Sequence, residues 1–415
     1  MIAIKKFFIT LLMSISLMVS MAQTSPKDLN YFLNSAHFTS PLLKDLNNQR
    51  RSAKVDSLII KATSGFQVNV NSAGLYAPVV KGYGFDEVLT NGQALEGYLN
   101  LSYNLLNGKR LNNQLEGVKI QIDSIQYAST LSNFDLNRTI TDQYLTAYSS
   151  QLQNIFNIEV VNLLEKEDGL LKQLTRSNIY KQSEYLTFLV TLQQQQLILR
   201  QSNLQFQNDY ATLAYLSGIQ DTSKAVLIAP NLDGIKMASE QTFFLQKFAI
   251  DSLRNANLKR NIDLNYLPKL GVYANGGYNS SFILQPYKNF GASVGFTFSV
   301  PIYDGNQRKM QYNKLAIASD TRSIYRSFFI DQQKQQLNLI RQQIAQTDAL
   351  FSKINDQIRF SKSLIDVDRK LLHTGDLRMA DFIMAINNYM TAQNLYRQTT
   401  INKLKLINQF NYWNK

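Results

Sequence analysis

Hydrophobic and polar residues alternate strictly in four short stretches of this chain. Between residues 67 and 73, Val68 and Val70 point one way and Asn69 and Asn71 the other. In the next stretch Leu99, Leu101, Tyr103 and Leu105 share one side; Asn100, Ser102 and Asn104 share the opposite one. Leu270, Val272 and Ala274 alternate with Gly271, Tyr273 and Asn275; Val294, Phe296, Phe298 and Val300 alternate with Ser293, Gly295, Thr297 and Ser299. Period two predicts strands with one apolar and one polar face. Loops rich in glycine and polar residues are expected at 78–93 and 279–289.

The rest reads as helix. One helix is expected over 25–64, with Leu43, Leu46, Val55, Leu58 and Ile59 as its apolar positions. Residues 109–176 hold no proline and only Gly117 and Gly169; residues 306–373 hold neither proline nor glycine. At ~1.5 Å per residue each stretch reaches on the order of 100 Å, far beyond an ordinary globular helix. A break at Arg176-Ser177-Asn178 precedes a helix over 183–216, which Ser217-Gly218 ends. A loop around Pro230 and Gly234 and a helix over about 240–258 follow, and Pro268 opens the second strand pair. Gly375 interrupts the second long stretch, and a last helix runs from about Met379 to near the C-terminus.

The pattern occurs twice. Asn107-Gly108 stands opposite Asp304-Gly305, an offset of 304 − 107 = 197. At that offset Ser102 meets Ser299, Gln114 meets Gln311, Asp123 meets Asp320, and Ser183-Glu184-Tyr185-Leu186 meets Ala380-Asp381-Phe382-Ile383. A repeat this long is a duplicated domain rather than a solenoid of short units. The expected division is a signal peptide (1–22), a first repeat (23–218), a connecting region (219–265) and a second repeat (266–415).

Composition narrows the setting. Lys5-Lys6, the short apolar core of residues 7–19 and Ser20-Met21-Ala22 have the form of a secretory signal with its cleavage site. No later segment approaches the ~20 apolar residues of a membrane helix. The chain has no cysteine, so a disulfide scaffold, thiolate metal sites and a lipid on an N-terminal cysteine are excluded. The net charge of +13 is scattered, with no recognition-helix or RNA-binding motif, so nucleic acid is not expected as a partner. Only His37 and His373 are present, and there is neither a G-x-S-x-G elbow nor a phosphate-cradling glycine loop. An enzyme is therefore not expected, nor any metal or cofactor.

Strands with one greasy and one wet face suit a barrel in a bilayer. Four strands cannot enclose a pore, and free edges are intolerable in hydrocarbon. Three chains would supply twelve strands, beyond the ~8 whose interior is filled by side chains. The expected lipid face comprises Leu99, Leu101, Tyr103, Val294, Phe296 and Phe298. The long helices, rich in Gln, Asn, Ser and Thr, read either as a wetted surface or as the wall of a water-filled lumen. A soluble periplasmic coiled-coil scaffold is the rival reading; it explains the helices and leaves the strands unexplained.

The run Val294-Gly295-Phe296-Thr297-Phe298-Ser299-Val300-Pro301-Ile302-Tyr303-Asp304-Gly305, the strand-opening Pro268-Lys269-Leu270 and the turn Gly375-Asp376-Leu377-Arg378-Met379-Ala380-Asp381 resemble the TolC family of outer-membrane efflux channels. The resemblance covers essentially the whole mature chain. It implies a mainly α fold with a small β part: long antiparallel helical hairpins forming a periplasmic tunnel, and four strands per chain in a trimeric twelve-stranded outer-membrane barrel. It also implies an equatorial belt from 219–265 and part of the N-terminal segment. The implied partners are two further copies, a periplasmic adaptor and an inner-membrane pump or ABC exporter, with use in efflux or in type I protein secretion.

At the tunnel's inner end the resemblance implies an iris-like gate, for which Asp381 is the candidate, with Glu184 at the equivalent place in the first repeat. Met384 stands where the family has a second aspartate, which argues against a double acidic ring. An ordinary capping or solvated aspartate is the alternative for Asp381. Candidate adaptor contacts at the turns are Gly375, Leu377, Phe382, Ile383, Tyr185 and Leu186; for Leu377, Phe382 and Ile383 hairpin packing is the alternative.

Overall fold

The computed structural model describes residues 26–90, 92–221, 223–232, 243–281 and 288–415. The expected signal segment and Gly234 lie outside them. The elements are α1 (Leu29–Thr39), α2 (Pro41–Thr63), β1 (Gln67–Tyr76), β2 (Gln93–Asn104), α3 (Gly108–Arg176), α4 (Gln182–Leu216), α5 (Gln246–Asn265), β3 (Lys269–Ser280), β4 (Phe290–Ser299), α6 (Gln307–Thr374) and α7 (Met379–Trp413). Two single turns, Glu87–Thr90 and Phe243–Leu245, complete the set. The chain is mainly helical with one antiparallel sheet, the fold class its pattern predicts. Among the described residues no helix is long and apolar enough to cross a membrane.

The duplication is visible in the element bounds. For α4 and α7 the starts differ by 379 − 182 = 197 and the ends by 413 − 216 = 197. The turns before these helices repeat as well. Asn178 and Gly375, also 197 apart, both have positive φ, 60° and 81°.

One expectation fails at the N-terminus. The single helix over 25–64 is two helices, broken at Ser40–Pro41. Pro41 forces its predecessor out of the helical region, and Ser40 has φ −51° and ψ 114°. The helix expected over 240–258 runs instead over Gln246–Asn265.

The described residues form two compact units, each drawing on both repeats. One takes those within 1–41, 132–240 and 332–415; the other takes 42–131 and 241–331.

The first unit is helical. Phe156, Leu164, Leu171, Phe188, Leu372 and Phe382 belong to one buried cluster of α3, α4, α6 and α7. A second cluster joins α1 to α3 and α4 through Phe32, Tyr144, Tyr210 and Leu213. The chain after α4 is stitched onto this cluster. Lys27 N–H bonds Val226 O at 2.8 Å and Ile228 N–H bonds Lys27 O at 3.1 Å. Gln151 donates to Leu227 O at 2.9 Å and accepts from Leu227 N–H at 2.7 Å. The buried Tyr144 hydroxyl donates to Ile228 O at 2.6 Å, and burial pushes its pKa well above the ordinary phenol range. These bonds satisfy backbone groups that a segment without regular structure would otherwise leave orphaned.

The second unit contains the sheet, with strand order β1-β2-β3-β4. Both hairpin loops lie at one end of the sheet, so α2, α3, α5 and α6 all meet its other end. Arg110, in the first turn of α3, holds that junction together. Its guanidinium donates to Leu106 O at 3.0 Å, Leu264 O at 3.2 Å, Leu267 O at 2.8 Å and Pro268 O at 3.2 Å. Leu106 O lies just before α3; the other three carbonyls lie in the last turn of α5 or just past it, where backbone acceptors lack the helical i+4 partner.

Two adjacent glycines of β3 differ sharply. A Cβ on Gly277 would lie 2.3 Å from Gly97 O and 2.4 Å from Tyr98 Cα; one on Gly276 would meet nothing within 4 Å. Gly277→Ala is expected to destabilise the protein by roughly 1–3 kcal/mol by overpacking. Gly276→Ala is expected to be close to neutral, and thermal unfolding midpoints of the two variants check the contrast.

Candidate functional site

The sheet sorts its residues by face. Cross-strand register sets Val68, Leu101, Ala274 and Val294 in one row, and Tyr103, Val272 and Phe296 in the next. Leu99, paired with Val70, and Phe298, paired with Leu270, stand on the same face. All six residues expected on the lipid side therefore share one surface. Phe66 joins them, its ring 4.8 Å from that of Tyr103 and tilted to it by 32°.

The opposite face carries Asn69, Asn100, Asn275 and Ser293 in one row. Asn100 Nδ2 donates to Asn275 Oδ1 at 2.6 Å. Tyr273 covers Gly295, where an added Cβ would lie 2.4 Å from the tyrosine ring. Glu96 and Lys269 are the charged residues of this face, near opposite ends of the strands.

Below the sheet, Asp304 precedes α6. Its carboxylate accepts from the Tyr266 hydroxyl and, at 2.8 Å, from Arg308 N–H; these bonds, the tyrosine's first, hold its pKa below the ordinary range. Arg308 also pairs with Asp263 at 2.8 Å.

The second candidate region is the pair of turns between the long and short helices, and the two turns interlock. Tyr180, nearly buried, sits with its hydroxyl 3.0 Å from Leu372 O and 2.9 Å from Leu377 O, so its one proton is shared between two carbonyls of the other turn. Burial, then the charges of Glu184 and Asp376, raise its pKa. A Cβ on Gly375 would lie 2.6 Å from Ile179 Cγ2, so glycine answers both its backbone conformation and the close approach of the first turn.

Asp381 stands in the first turn of α7, bridged by Arg378 at 2.9 Å and 3.1 Å. Its charge adds to the burial that raises the pKa of Asp368, on α6. Glu184 accepts from Lys181 N–H at 3.1 Å in the equivalent turn of α4. Both acids thus lie where a helix N-terminus favours negative charge.

Among the candidate docking residues, Leu186 is half exposed. Leu377, Ile383 and Tyr185 are partly buried against the helical core, and the Tyr185 hydroxyl donates to Asp168 at 3.1 Å. Phe382 is wholly buried in that core, the hairpin-packing position. Sequence reasoning missed Tyr180 and Arg378. It also missed the buried Glu167 of α3, which pairs with Arg369 of α6 at 2.8 Å. Arg378, three residues before Asp381, was the one of these with a local signal.

No family model matches the chain, and no curated protein matches it. Solved structures do. The outer-membrane channel OprN is 13% identical, with a TM-score of 0.72 over 93% of this chain and 89% of that one. The outer membrane protein VceC from Vibrio cholerae is 13% identical, with a TM-score of 0.73 over 93% of this chain and 95% of that one. The Campylobacter jejuni CmeC outer membrane channel is 13% identical, with a TM-score of 0.73 over 93% of this chain and 85% of that one. The chain has the fold of these outer-membrane channels, the fold of the TolC family.

Tyr180→Phe keeps the ring and removes the hydroxyl that serves both carbonyls, leaving Leu372 O with Gly375 N–H at 3.4 Å and Leu377 O without the tyrosine's proton. It is expected to cost about 1–3 kcal/mol, read as a lowered urea midpoint with unchanged slope.

Proposed function

We propose that this protein is a passive outer-membrane channel-tunnel, through which substrates delivered by an inner-membrane pump and its periplasmic adaptor leave the cell. The observation that carries the reading is the sheet: one face apolar in every central row, the other lined by amides, hydroxyls and tyrosines, with β1 and β4 as its outer strands. Exposed to water, the apolar face would be a large unpartnered patch. Turned to lipid, it is the outer wall of a barrel and the Asn69–Asn100–Asn275 row faces the lumen. The outer strands keep unpaired backbone groups, which hydrocarbon does not tolerate. Pairing β1 of one copy with β4 of the next satisfies them, and three copies supply twelve strands. A soluble scaffold leaves this face without a use.

In this assembly the interlocked turns form the inner end of the tunnel. Leu186, with the partly exposed Leu377, Ile383 and Tyr185, is the surface offered to the adaptor; Gly375 shapes the turn, and Phe382 supports it from within. Asp381 and Glu184 narrow the inner opening, with the Arg378–Asp381 pair setting the charge there.

Because the chain has no cysteine, single-cysteine variants report faces cleanly. In proteoliposomes, Asn100→Cys and Asn275→Cys are expected to react with a membrane-impermeant maleimide, and Val294→Cys and Phe296→Cys to be protected. Equal labelling of all four overturns the barrel. In planar bilayers Asp381→Ala is expected to raise single-channel conductance; an unchanged conductance leaves Asp381 only its place in the first turn of α7.

A further inference from the structure

The loop between β1 and β2 carries, among its glycines and polar residues, a group of large apolar side chains that a loop facing water ordinarily lacks. Tyr83, Phe85, Val88 and Leu89 are 85%, 73%, 87% and 83% exposed, and Val80 is also exposed. Isolated exposed hydrophobic residues need no explanation, but a group of this kind marks an interaction surface.

The loop is also well built. Val80 and Tyr83 bond each other's backbone in both directions, at 3.0 Å and 3.1 Å, around Lys81 and Gly82, which take positive φ. A Cβ on Gly84 would lie 2.8 Å from Pro78 O, so the chain doubles back tightly there. Asp86 then caps the turn Glu87–Thr90 by accepting from Val88 N–H at 3.0 Å. This framework holds the apolar side chains outward.

The lipid-side face of the sheet runs up to this loop. Above the row of Phe296 and Tyr103 come Val294 and Leu101, then the paired Tyr278 and Phe290, then Leu95, and finally Tyr76 at the last residue of β1. Aromatic residues thus stand near both ends of the apolar face, the arrangement of a membrane-spanning barrel at its two water interfaces. The loop begins one residue past Tyr76, at the end of the sheet opposite the one that α2, α3, α5 and α6 meet. Its aromatic and aliphatic side chains suit the upper acyl chains and its one cation, Lys81, suits lipid phosphate; of its two acids, Asp86 and Glu87, the first is engaged in capping the turn.

We propose that residues 79–89 form an interfacial anchor seated in the outer leaflet of the membrane, with Tyr83, Phe85, Val88 and Leu89 among the upper acyl chains and Lys81 at the level of lipid phosphate. The inference rests on the outer-membrane reading above and adds a lipid-binding role for a segment outside the barrel.

The test places an environment-sensitive fluorophore on Tyr83→Cys or Phe85→Cys in the full chain, reconstituted in vesicles of phosphatidylethanolamine and phosphatidylglycerol. Emission is quenched either by a nitroxide on the upper acyl chain or by aqueous iodide. Phe296→Cys serves as the barrel control. Lipid nitroxide is expected to remove roughly half of the emission at positions 83 and 85, with iodide much weaker, as at an interfacial site. Quenching by iodide alone would place the loop in water and overturn the anchor. Protection from both quenchers would mean that a second copy covers the loop, and overturns it equally. If Phe296→Cys also escapes the lipid nitroxide, the barrel reading itself has failed; if only the loop positions escape, the anchor alone has.

Discussion

An unpaired peptide N–H or C=O is harmless in water and costs several kcal/mol in hydrocarbon. That asymmetry governs how a four-stranded sheet of this kind is used. Hydrogen bonds inside one chain satisfy β2 and β3 on both sides, whereas β1 and β4 end the sheet. In the proposed barrel the alternation of the strands turns one face to lipid, and the edges then call for further copies. Assembly is in this sense a demand of the backbone, and the side chains decide only which surface looks outward.

The helices answer a different requirement. Among the described residues none is long and apolar enough to cross a membrane, and part of their apolar surface is buried between them while residues such as Val190, Phe328 and Phe360 stay exposed. Phe32, Tyr144, Phe188 and Phe382 are fully buried, while Gln151, Tyr144 and Arg110 spend their hydrogen bonds on backbone carbonyls where regular structure stops. Polar side chains bonded in this way fix where chain ends and connections run, and leaving a buried one unpaired would be costly.

Much of this was legible in the sequence. Period-two alternation marks all four strands, and the absence of proline, with interior glycine confined to Gly117 and Gly169, marks the two long helices to within a residue or two. The break at Pro41 was signalled by the proline itself, yet the apolar spacing continued across it and concealed the division of α1 from α2. The upper half of β2 was missed because Glu96 and Gly97 are weak strand formers. They pair only because β1 and β3 flank them. Tyr180 was the least legible: its partners Leu372 and Leu377 lie 192 and 197 residues away, and nothing near it in the chain announces them. Among the site residues, Phe382 was visible as apolar, and only the packing of four helices shows that it is enclosed.

The interlock of the two turns bears on how that end of the molecule moves. With Ile179 lodged against Gly375 and one tyrosine proton shared by two carbonyls, neither loop shifts alone without breaking the clasp. Displacement there is concerted: both hairpin ends travel as one body, or a threshold is crossed before either moves. In the proposed tunnel, an opening bordered by such a clasp would switch between discrete levels of current instead of widening by degrees.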